Sequence, residues 1–163
     1  MKWLKFIFKN IEELISGVFI VATVIIVIIN VILRYFFNMG LYWSEEVATI
    51  CFVWAVFVGA SATYKHKMNI GIDFLVKRSP LVIQKIMRIF VDVLLIVIVG
   101  YLVYLSVIFT NIASIKPTAV LGISSAYVNA SLVVGFGLMF IHAIRFFIED
   151  IKFVMTEKKE EVE

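Results

Sequence analysis

Cysteine, proline, histidine and charge are all scarce in this chain of 163 residues. The lone Cys51 forms no intramolecular disulfide and no thiolate cluster, which removes four-helix thiol-redox enzymes, since these need paired cysteines. The two histidines, His66 and His142, fall in a loop and near a helix end, and so argue against a membrane-buried bis-histidine haem. Charged residues make up 17% of the chain against about a quarter in soluble domains, hydrophobic residues make up 63%, and the mean hydropathy is +1.04. A water-soluble globule is excluded on that composition. Four stretches hold no Asp, Glu, Lys or Arg at all: Leu14–Leu33, Val47–Tyr64, Val93–Ile115 and Pro117–Ile144. A secondary transporter or pump usually carries a carboxylate, histidine or arginine near the bilayer midplane, or a pair of broken helices, and neither pattern is present. Nor is there the first-span glutamate that drives small four-span exporters. Ser61, Ser106, Ser131 and the two histidines show no spacing that assembles a nucleophile, a base and an orienting group, so the chain reads as no enzyme.

What is present follows from the same four stretches. Each reaches the roughly 18 to 20 residues that an α-helix needs to cross a hydrocarbon core about 30 Å thick. The expected fold is therefore an all-α integral membrane protein with four transmembrane helices, over about 14–33, 47–64, 90–114 and 121–145. These form one membrane domain, 1–148, followed by a charged tail, 149–163. Short interfacial amphipathic segments are expected at about 1–13 and 69–88. In the first, Trp3, Ile7, Ile11 and Leu14 share a helix face. In the second, Ile70, Ile72, Phe74, Leu75 and Val76 lie too close together for a solvated loop. Of the 15 basic residues, 13 sit in the N-terminal segment, the middle loop and the tail, and only Arg34 and Lys116 sit in the other two loops. Positive residues are retained on the cytoplasmic side, so both termini are expected there. The net charge of +3 then reflects topology and attraction to lipid headgroups, with the bilayer and not nucleic acid as partner. The apolar run after Lys2 and Lys5 is too long for a secretory signal and is expected to be kept as the first span.

Local signals refine this outline. Asn38-Met39-Gly40-Leu41 reads as a turn. Ser44 reads as the N-cap of the second span, with Glu45 and Glu46 in the first turn, where negative charge meets the positive end of the helix dipole. Ser79-Pro80 reads as N-cap and first helical position of a helix running on into the third span. Arg88 and Asp92, four apart, are expected to pair where that helix enters the bilayer. Gly122 and Ser124-Ser125 continue a turn begun at Lys116-Pro117, and Gly135 and Gly137 leave a smooth patch for a neighbouring helix.

Polar character concentrates at the outer rim. Arg34 stands against the positive-inside pattern, and either an ion pair with Glu45 or Glu46 or contact with a partner would account for it. For the two glutamates, helix-start electrostatics and partner contact weigh equally. Trp43 suits an interfacial anchor. Trp54, three turns further on, suits packing against another subunit, and Gly59-Ala60-Ser61-Ala62 suits close helix approach.

Arg34-Tyr35-Phe36-Phe37-Asn38, then Trp43-Ser44-Glu45-Glu46, Trp54, Gly59-Ala60 and Ile70-Gly71-Ile72-Asp73, in that order and spacing, resemble the signature of the small membrane subunit of tripartite ATP-independent periplasmic (TRAP) transporters, the DctQ family. The likeness is close over about residues 30–76 and extends to the whole chain in length, span count and topology. The family pattern has a histidine just before the Ile-x-Ile/Val-Asp segment, where this chain has Asn69, and a proline in the fourth span, which is absent here. The resemblance implies a bacterial inner-membrane uptake system. In it a large multi-span permease subunit moves substrate on a sodium gradient, a soluble periplasmic protein captures that substrate, and the small subunit braces the large one without cofactor or metal. Arg34, Trp43, Glu45, Glu46, Trp54 and Gly59 are the candidate partner-contact residues on that reading. The rival reading is a small self-assembling transporter or channel whose path forms between copies.

Overall fold

A computed structural model describes residues 10–66 and 81–160, the side chains of 81–86 and 153–160 excepted. The expected interfacial segment at 1–13 therefore lies almost wholly outside the described residues, as do residues 69–80 of the second, including Ser79-Pro80 and Ile70–Asp73. Four helices account for most of what is described: α1 (Ile11–Phe36), α2 (Ser44–Lys65), α3 (Leu81–Ala113) and α4 (Ala126–Glu160). All four are long and apolar enough to cross a membrane. At 1.5 Å per residue, the 26 residues of α1 span about 39 Å, so its ends reach beyond the hydrocarbon on both sides.

Two boundaries depart from the sequence reading. The fourth span was expected from about 121, but α4 begins at Ala126. The nine residues before it, although free of charge, fold back as a tight loop: Thr118 N–H donates to the Ile123 carbonyl at 2.7 Å and Ser125 N–H to the Lys116 carbonyl at 2.9 Å. Gly122 supplies the left-handed turn at φ 66°. At its far end α4 runs on to Glu160, through most of the segment expected as a separate tail. An exposed i, i+4 ion pair between Arg145 and Glu149, at 2.9 Å, supports the helix where it leaves the apolar stretch.

The helices pack as an open row rather than a closed bundle: α1 lies on α2, α2 on α4, and α4 on α3, while α1 and α3 form the two edges. Small side chains make this row possible. The buried residues are mostly Ala48, Ala55, Val58, Ala62, Val99, Ala113 and Ala143, with Ser44, Ser61, Ser106 and Ser131 among them. In a bilayer apolar burial does little to drive helices together, so close backbone approach and interhelical hydrogen bonds hold them. Ser16 Oγ on α1 donates to the Ala55 carbonyl of α2 at 2.9 Å. A methyl placed on Gly135 of α4 would stand 2.8 Å from both Cβ and the carbonyl oxygen of Phe57 on α2, so only glycine allows that approach. Gly137, read with it as one smooth patch, faces open space. On the α3–α4 side Thr110 Oγ1 reaches the Asn129 carbonyl at 3.2 Å.

Candidate functional site

The α1–α2 connection is a short loop whose backbone is tied down from both sides. Asn30, nearly two turns before the end of α1, accepts the Leu41 N–H on Oδ1 at 3.0 Å. Met39 N–H returns to the Leu33 carbonyl at 3.1 Å, and Asn38 between them takes a left-handed conformation, φ 51°. Ser44 does not cap α2 as expected. Its hydroxyl donates to the Leu41 carbonyl at 2.7 Å and is fully buried, so it fastens the loop instead, and Trp43 occupies the N-cap position without a side-chain cap bond.

This loop encloses an open cleft of about 460 Å³, lined by Asn30, Arg34, Asn38, Leu41, Tyr42 and Glu45. Arg34 and Glu45 thus face one space, yet among the described residues no ion pair joins Arg34 to Glu45 or to Glu46. Each charge has a separate local cause. Arg34 lies in the last turn of α1 and Glu45 in the first turn of α2, where each complements the helix dipole. Glu46 turns away from the cleft. Its Oε2 accepts the N–H groups of Val120 and Leu121 at 2.7 and 3.2 Å, clamping the tip of the α3–α4 loop onto the start of α2. Around the rim Tyr35, Phe36, Phe37, Tyr42 and Trp43 are exposed, an aromatic collar of the kind that sits at headgroup depth.

The other two candidate contact residues are engaged inside the chain. The Trp54 ring stacks on Phe19 of α1 with centroids 5.8 Å apart, and its Nε1–H donates to the Tyr127 carbonyl of α4 at 3.1 Å. It therefore bridges three helices. Gly59 makes room for α1: a methyl there would stand 2.6 Å from Ser16 Oγ. The small-residue run that follows has the same use, with Ser61 and Ala62 both buried.

At the opposite end of the α1–α2 pair lies a polar cluster not singled out in the sequence. Glu12 of α1 is only 7% exposed. It accepts the Ser61 hydroxyl on Oε2 at 2.9 Å, and its Oε1 lies 2.9 Å from Nε2 of His142 on α4. Glu13 beside it accepts Lys65 Nζ at 3.0 and 3.2 Å and pairs with His66 Nε2 at 2.7 Å. In sequence both carboxylates fall off the apolar face formed by Trp3, Ile7, Ile11 and Leu14. The signal that finds Glu12 is the stripe Phe19, Ser16, Glu12, which carries the α2-facing side of α1 down by one more turn. Further along this end, no ion pair joins Arg88 to Asp92 among the described residues, and Asp92 is engaged elsewhere. Arg before Asp is also the weaker order for an i, i+4 pair, since it runs against the helix dipole.

Residues 23–153 match the family described as tripartite ATP-independent periplasmic transporters, DctQ component. The chain belongs to the DctQ family. It is 28% identical over 134 residues to a putative TRAP transporter small permease protein of Haemophilus influenzae (strain ATCC 51907 / DSM 11121 / KW20 / Rd), covering 82% of this chain and 81% of that one. It is also 32% identical over 124 residues to the sialic acid TRAP transporter permease protein SiaT of Haemophilus influenzae (strain 86-028NP). That match takes in 76% of this chain but only 20% of the longer relative. A third match, 36% over 77 residues, is to the C4-dicarboxylate TRAP transporter small permease protein DctQ of Vibrio cholerae. It covers 47% of this chain and 33% of that protein. The DctQ chain described here is thus a multi-pass membrane component of TRAP-type transport.

Proposed function

We propose that this DctQ protein is the non-catalytic small permease subunit of a TRAP-type uptake system in a bacterial inner membrane. Both of its termini are cytoplasmic. It braces a large, sodium-coupled permease subunit and lends the Arg34–Glu45 rim to the docking surface for a periplasmic substrate-binding protein. The observation that carries this reading is the open row. Among the described residues α1 and α3 each present a helix edge with no further helix against it, and none of the four charge-free stretches carries an Asp, Glu, Lys or Arg near the bilayer midplane. A transport path needs walls on all sides, whereas a brace needs one broad face. The relatives named for sialic acid and C4-dicarboxylate transport favour small organic acids as cargo.

Extraction in mild detergent tests the brace directly: a large membrane subunit is expected to co-purify with the chain, and its consistent absence would remove the reading. Purified chain alone in liposomes is expected to show no substrate flux. Flux without a partner would support the rival, self-assembling path. Replacing Arg34 with Glu is expected to lower uptake with membrane insertion unchanged.

A further inference from the structure

The cleft at the outer end of α1 and α2 opens onto a groove with a composition of its own. Arg34 and Glu45 both line the cleft and do not pair with each other. Seven and fourteen residues before Arg34, two and four turns down the same side of α1, stand Val27 and Ile20, 46% and 40% exposed. Seven and eleven residues after Glu45, on the matching side of α2, stand Phe52 and Val56, 49% and 46% exposed. Since Arg34 and Glu45 share one cleft, these two apolar stripes flank the same side of the α1–α2 seam. Further along the seam Ser16 meets Gly59 and Ala55.

We propose that this groove is a binding site for one phospholipid with a zwitterionic, primary-amine headgroup, that is, a phosphatidylethanolamine. The Arg34 guanidinium takes the phosphate and the Glu45 carboxylate takes the ammonium, with an acyl chain along Val27 and Ile20 on one wall and Phe52 and Val56 on the other. Charge complementarity selects the headgroup. A cation and an anion that share a cleft without pairing match a ligand carrying both signs a few ångströms apart. Charge-assisted hydrogen bonds to both ends need N–H donors on the amine, which a trimethylammonium lacks. An anionic glycerol headgroup would satisfy Arg34 and leave Glu45 facing a negative charge.

Native mass spectrometry of the full chain in mild detergent, with dioleoyl phosphatidylethanolamine, phosphatidylcholine and phosphatidylglycerol added at equal concentration, tests the site without any other subunit or receptor. The expected result is retention of phosphatidylethanolamine about tenfold above the other two, corresponding to one strong extra contact. Glu45→Gln is expected to abolish the preference over phosphatidylglycerol, and Arg34→Gln to abolish retention above the phosphatidylcholine level. Lys116→Gln, basic but away from the groove, is expected to change neither. Equal retention of all three lipids by the unaltered chain, or phosphatidylglycerol held as well as phosphatidylethanolamine, overturns the proposal whether or not the variants fold. So does a preference that survives both substitutions in folded protein.

Discussion

Glu12 and His142 show how much depends on single side chains in a chain with so little charge. Their hydrogen bond is shielded, with the side chains 10% and 12% exposed, and it links α1 to α4 across α2, although the two helices have no backbone contact. Removing the imidazole leaves the buried Glu12 carboxyl with one hydrogen-bond partner fewer, so His142→Leu is expected to destabilise the protein by about 1 to 3 kcal/mol in detergent unfolding, while Glu12→Leu/His142→Leu together recover much of that loss. Losses that simply add in the double variant would show that the two groups act independently. At the opposite end Asn38 holds a left-handed backbone that β-branched residues avoid. Asn38→Val is expected to cost about 1 to 2 kcal/mol and Asn38→Gly nearly nothing, again by unfolding midpoint. The outer turn was legible because Asn-Met-Gly-Leu carries its own conformational signal. The inner cluster was not, because a carboxylate one turn below the apolar stretch looks the same in sequence whether it meets water or a histidine 130 residues away.

Among the elements, the four spans were readable from charge-free length alone, and α3 runs unbroken from Leu81 into the third span. Packing order was not readable, because it depends on which small residues meet, and composition marks small residues without pairing them. The two glycines of α4 make the point. In sequence Gly135 and Gly137 are alike, yet one lies against the Phe57 backbone and the other against nothing. Gly135→Ala is therefore expected to force α2 and α4 apart and destabilise the fold by about 1 to 3 kcal/mol. Gly137→Ala meets no atom within 4 Å and is expected to stabilise α4 by up to about 1 kcal/mol through helix propensity. Thermal unfolding of the two variants side by side checks this, and equal effects would mean that the α2–α4 approach is wrong. The start of α4 was misplaced for a related reason. Val120, Leu121 and Ile123 keep the loop apolar, and the Glu46 carboxylate that anchors it comes from a helix start more than 70 residues earlier.

For the whole molecule, the open row and the basic asymmetry make one joint claim. On the proposed orientation the face that carries Arg34, Glu45 and the aromatic collar lies outside the cell, and the Glu12–His142 end lies inside. Thirteen of 15 basic residues lie on the side assigned to the cytoplasm, and retention of Lys and Arg there is the strongest orienting influence on short loops. The lone cysteine makes this simple to test. Cys51 lies part-buried within α2, where Ser is a near-isosteric replacement that can satisfy its hydroxyl on the preceding turn, as Thr49 and Thr63 already do. In a Cys51→Ser background, Met39→Cys places a thiol on the exposed outer loop and Lys152→Cys places one on the exposed inner stretch of α4. A membrane-impermeant maleimide added to intact spheroplasts is expected to label the first at once and the second only after permeabilisation. The reverse pattern would put the rim in the cytoplasm, where no periplasmic protein reaches it, and would remove the docking role while leaving the four-helix row and the lipid groove untouched.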